Sequence, residues 1–214
     1  MELESEVKKP SEKVEVLDIE QERIYHSIWL ERNSFRIVLI STFTALAIVL
    51  GYLLALIFNI ELFTLTIFLS GFILGKKDGM IVGFLSSFIF CFFNPLGPSP
   101  LPLLTYQLFH YAMVGVSGGI MSAFLNDKKF FRLKEDLYTF QVMIILGIIG
   151  ALITFTYDIL STLISGFTVS FTIEYFITSY IFGIPFTTIH LIGNTLGFIF
   201  ILPGLIQLIN KMLY

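Results

Sequence analysis

LFTLTIFLSGFILGKKDGMIVGFLSSFIFCFF, residues 62–93, holds two apolar runs separated by three consecutive charged residues. Both runs, 62–75 and 79–93, are shorter than the roughly 20 residues that cross a bilayer comfortably. They therefore fit either two thin or tilted spans or a re-entrant hairpin. The tip decides between them. A re-entrant hairpin would bring Lys76, Lys77 and Asp78 to the bilayer centre, where each charge costs on the order of 2.5–3.5 kcal/mol even on the mildest scale. Two spans joined at the membrane surface cost less.

Working outward, apolar runs at 37–58, 103–125, 140–164 and 185–209 complete a set of six and place both ends of the chain on one side. The composition agrees: 56% of residues are hydrophobic, 14% are charged and 24 are phenylalanine, as in a polytopic membrane protein. The basic residues then orient it. Lys8, Lys9, Lys13, Arg23, Arg32 and Arg36 precede the first span. Lys76 and Lys77 lie in the second connection, Lys128, Lys129, Arg132 and Lys134 in the fourth, and Lys211 after the last. Every Lys and Arg falls on one side, which the positive-inside rule makes the cytoplasm. The expected fold is an all-α membrane domain over 37–214, with six transmembrane helices and cytoplasmic termini. It is preceded by a charged head, 1–36, in which Leu17, Ile24, Ile28 and Phe35 recur at the spacing of an interfacial amphipathic helix. The head has no apolar signal-peptide core, so insertion is expected to begin at the first span.

Several classes are set aside. No basic surface suited to nucleic acid is present. The single cysteine, Cys91, cannot form an internal disulfide. No HExxH or paired acidic motif supports an enzyme, and His110, His190 and Asp158 lack the spacing of a metal site. Rings of charge or a repeated filter, as in a channel, are also missing.

Polar groups in a bilayer are costly, so their positions are informative. Asn94 ends the third span. Gln107 and His110 lie early in the fourth, Asp158 late in the fifth, and His190 and Asn194 shortly after Pro185. By the helical rise the last five lie roughly 8–14 Å below the outer ends of their helices. This predicts a pocket in the outer half, with Tyr106, Tyr111 and Tyr157 available for stacking. Packing seams with interhelical hydrogen bonds, worth about 0.6 kcal/mol each, are the alternative for any one residue. The connection FFNPLGPSPLPLLTYQLFHY, 92–111, carries prolines 95, 98, 100 and 102 and reads as a semi-rigid pocket cover. With Asp158 buried, Glu61 and Glu174 near the mouth and no outer cation, a neutral or cationic ring-containing ligand is favoured.

LSGFILGKKDGMIVGFLSSFIFCFFNPLG, then YDILST and IPFTTIHLIGNT, resemble the substrate-binding S component of an energy-coupling-factor (ECF) vitamin transporter. The resemblance implies a multi-pass protein of a prokaryotic plasma membrane that binds a vitamin or related micronutrient from outside. It also implies a transmembrane T component and two cytosolic ATPases as partners, and needs no cofactor. The family docks through Ala-x-x-x-Ala on the first helix. Here Ser41 with Ala45, and Ala47 with Gly51, stand in for that motif. A membrane scaffold or secondary carrier without an ATPase is the alternative.

Overall fold

The computed structural model describes residues 32–213 apart from 56, 58, 59, 95, 96, 134, 135, 170 and 171. Most of the charged head therefore lies outside the described residues. The helices are α1 (Asn33–Leu54), α2 (Phe63–Leu74), α3 (Lys76–Phe92), α4 (Leu101–Asn126), α5 (Phe140–Gly166) and α6 (Ile173–Leu196). A π-helical turn, Gly197–Ile201, joins α6 to α7 (Leu202–Leu213). No strand occurs among the described residues. Four helical runs are long and apolar enough to cross a membrane: α1, α4, α5 and the continuous run Ile173–Leu213. The 12-residue α2 and the 17-residue α3 are shorter.

Gly75 makes the corner between α2 and α3 by itself. Its φ of +91° is open to glycine and strained for other residues, and its N–H closes α2 on the Gly71 carbonyl at 2.9 Å. Lys76, Lys77 and Asp78, expected in a connection, instead form the first turn of α3. There the Asp78 carboxylate complements the helix dipole. It also accepts from one edge of the Arg36 guanidinium: Nη2 lies 2.9 Å from Oδ1 and 2.7 Å from Oδ2, and Nε 3.0 Å from Oδ2. Arg36 belongs to α1, so this pair ties the first helix to the α2–α3 corner.

The helix α2 is buried on all sides from Phe63 to Phe72, as a helix that is apolar all round must be. Its neighbours approach to backbone contact. A Cβ at Gly71 would overlap the Gly115 carbonyl, one at Gly83 the Tyr111 carbonyl, and one at Gly115 the Gly79 carbonyl. Glycine on both sides of the α2–α3–α4 seam lets these helices pack on dispersion alone, which is the main attraction between helices in lipid. Outward, side chains such as Val49, Phe84, Phe109, Leu152 and Phe182 are exposed and apolar, a surface matched to hydrocarbon.

Two expectations are corrected. Helix α6 does not begin at Pro185 but at Ile173, where the Thr172 hydroxyl caps it by accepting from the Tyr175 N–H at 3.1 Å. Pro185 lies inside the helix, and most of the residues read as an external connection are helical. At 1.5 Å per residue, the 41-residue run to Leu213 is about 60 Å long, roughly twice the hydrocarbon thickness. The proline-rich connection is likewise a helix start more than a cover. Pro100 precedes α4, Pro102 sits in its first turn, and that position tolerates a missing N–H.

Candidate functional site

The polar residues singled out on separate helices do meet. At the bundle end formed by the C-terminus of α1, the N-terminus of α2, the C-terminus of α3 and the N-terminus of α4 lies a cavity of about 260 Å³. Asn94, Gln107, Tyr111, Tyr157, Asp158 and His190 line it, together with Glu61, Phe90, Cys91, Gly51 and residues of the α1–α2 connection. Tyr106, His110 and Asn194 stand behind this lining. The Tyr106 hydroxyl lies 3.3 Å from His110 Nδ1, and the Tyr106 ring stacks on Tyr157 at 6.1 Å. Asn194 Nδ2 donates to Thr154 Oγ1 at 3.0 Å and to Glu61 Oε1 at 3.3 Å.

His190 is the hub. Its Nδ1 lies 2.8 Å from Asp158 Oδ1 and its Nε2 3.3 Å from Glu61 Oε1. One imidazole thus bridges two carboxylates from α5 and the start of α2, and when protonated it donates to both. Gln107 Nε2 donates to the Tyr157 hydroxyl at 3.0 Å. The Tyr157 ring in turn packs within 5.0 Å of His110, 5.7 Å of Tyr111 and 6.1 Å of His190. Polar and aromatic groups of α4, α5 and α6 form one continuous wall.

Glu61 is the site residue that sequence reasoning left out: read only as an acid near the mouth, it lines the cavity. Its Oε1 accepts from Thr64, Asn194 and His190. The signal that could have found it was Thr64, three residues on, whose hydroxyl reaches back to it. Glu174, the other acid expected near the mouth, is exposed and does not line the cavity. Of the described residues between α3 and α4, Asn94 alone contributes to the lining.

The two small-residue pairs on α1 face opposite ways. Ser41 and Ala45 are exposed. Ala47 is fully buried, and a Cβ on Gly51 would stand 2.9 Å from the Phe90 ring. The second pair therefore packs against the chain's own α3 and cannot serve as an outward docking face.

A larger cleft of about 600 Å³ opens at the other end of the bundle, between Phe72, Ser122, Asn126, Phe131, Ile206 and the basic residues Lys128, Lys129 and Arg132. None of the expected binding residues lines it. The smaller cavity is the better candidate, because polar groups from several helices converge on it. Among the described residues no three His, Cys, Asp or Glu side chains are grouped to hold a metal ion.

The fold and cavity define a multi-pass helical membrane protein with an internal polar site. The family of ECF transporter substrate-specific components matches residues 35–210, and the chain belongs to that family. It is thus a transport protein, a non-catalytic subunit, and membership implies a small-molecule substrate and association with a T component and ATPases. No curated protein and no solved structure gives a significant match.

Proposed function

We propose that this chain is the specificity subunit of an ATP-driven importer, binding a vitamin or related micronutrient from outside the cell in the cavity around Tyr157. In this reading the protein spans the plasma membrane six times, with α2 and α3 as thin or tilted spans and both termini cytoplasmic. Asn94, Gln107, Tyr111, Tyr157, Asp158 and His190 contact the substrate, while Tyr106, His110 and Asn194 hold them in place. The observation that carries the reading is that polar side chains from separate helices converge on one cavity at the end of the bundle away from Lys76, Lys128 and Arg132. Under the positive-inside rule that end faces outward.

Energy then comes from partners. Ser41 and Ala45, small and exposed on α1, offer a close-approach surface to a T-component helix. The decisive experiment is affinity purification in mild detergent, where a T component and two ATPases are expected to accompany the chain. Ala45→Trp should leave binding intact and lower uptake more than about tenfold, because bulk there holds the partner helix away. Repeated recovery of the chain alone, or normal uptake by Ala45→Trp, would count against the assignment.

One feature supports a secondary carrier as the second reading. Asp158, His190 and Glu61 form a chain of ionisable groups in the cavity, and such chains serve as proton relays in carriers. Uptake by the reconstituted chain alone, driven by a proton gradient, would favour it.

A further inference from the structure

We infer that the cavity is built for a cation bearing several N–H donors, a protonated amine, amidine or aminoheterocycle seated between Asp158, Glu61 and Gln107. The inference deepens the proposed function and rests on its assignment of the cavity as the binding site.

Counting charge gives the first reason. Among the described residues two carboxylates reach the cavity, His190 is the only ionisable base in contact with them, and no Lys or Arg joins the lining. With both carboxylates ionised, a protonated His190 leaves the group with one uncompensated negative charge, and a neutral one leaves two. In a site partly removed from water such a charge is unfavourable unless a cation or a proton accompanies it. His110 faces Tyr106 and Tyr157 rather than the two carboxylates.

Counting hydrogen bonds gives an independent reason. Asp158 commits Oδ1 to His190, while its buried Oδ2 has no donor among the described residues. Hydrogen bonds to Glu61 from the described residues all converge on Oε1, which leaves Oε2 for the cavity. Gln107, only 8% exposed and part of the lining, spends Nε2 on Tyr157 and has no partner for Oε1 among the described residues. Buried acceptors without donors are rare and costly in a finished core. Here they belong to residues lining one cavity, so a bound molecule rich in N–H groups would satisfy them together. The Asp158 acceptor stands whichever way the Gln107 amide is turned. The neighbouring Tyr157 and Tyr111 rings add faces on which a flat cation stacks.

The test uses three probes of one shape and different charge: benzamidinium, benzamide and benzoate, each at millimolar concentration with the purified full-length chain. Thermal stabilisation and competition are read out on the wild type, so the result does not depend on any variant folding. Benzamidinium is expected to bind at least about tenfold more tightly than benzamide, with benzoate weakest. Asp158→Asn and Glu61→Gln should each remove most of that preference for benzamidinium over benzamide. Equal affinity for the three, preference for benzoate, or no stabilisation by any of them overturns the inference. A cation preference in a chain that never recovers ATPase partners would sink the importer reading and leave this site standing. Loss of the preference with partners present would do the reverse.

Discussion

Two carboxylate sites lie at opposite ends of this bundle, and they are finished to different degrees. At the α2–α3 corner Asp78 is 5% exposed and both its oxygens are held by one guanidinium in a bidentate pair. Around His190 two carboxylates share one imidazole, and Asp158 Oδ2 has no donor among the described residues. Similar chemistry thus serves two ends. A charge matched on all sides fastens helices together. A set left incomplete in a cavity stores an interaction for something that arrives later, at some cost to the stability of the empty protein.

Breaking the finished site should have the largest effect on folding. Arg36→Ala strands Asp78 and is expected to lower stability by about 2–3 kcal/mol, less than the ~3–5 for a fully buried pair, because the Arg36 side chain is 40% exposed. Thermal unfolding in detergent measures it. Arg36→Met combined with Asp78→Leu should recover most of the loss, since a matched apolar pair removes both charges together. The unfinished site should respond the other way. Asp158→Asn is expected to weaken substrate binding more than about tenfold, or 1.4 kcal/mol, while changing the stability of the empty protein by less than about 1 kcal/mol. If Asp158→Asn unfolds the protein as Arg36→Ala does, the two ends are alike and the comparison fails. Gln107→Leu sharpens it further: one neutral acceptor is removed, so affinity should fall about three- to fivefold, near the ~0.5–1.5 kcal/mol of a single hydrogen bond, as titration would show.

Much of this was legible in the sequence, for physical reasons. Apolar runs must be helical in lipid because no other local structure satisfies the backbone there, and charges between runs mark their ends. Polar residues within those runs were costly enough to announce a site, and Gln107, Asp158 and His190 do share one cavity. Direction was harder to read. Ala47 and Gly51 form the same small-residue pattern as Ser41 and Ala45, yet one pair faces inward and the other outward, since spacing fixes a face without naming its neighbour. Pairing over distance was also hidden: Arg36 and Asp78 are 42 residues apart, and Glu61 meets His190 from 129 residues away. Pro185 misled for a third reason. Proline favours a helix start, but α6 carries it inside, as membrane helices tolerate.

The most direct measurement of the central claim is thermal stabilisation of the purified chain across a panel of vitamins, repeated with Asp158→Asn and Glu61→Gln. A positively charged, N–H-bearing member is expected to stabilise the wild type, by about 2.7 kcal/mol at 100 times its Kd, and to lose that effect in both variants. Stabilisation by an anionic vitamin that both variants retain in full would contradict the account.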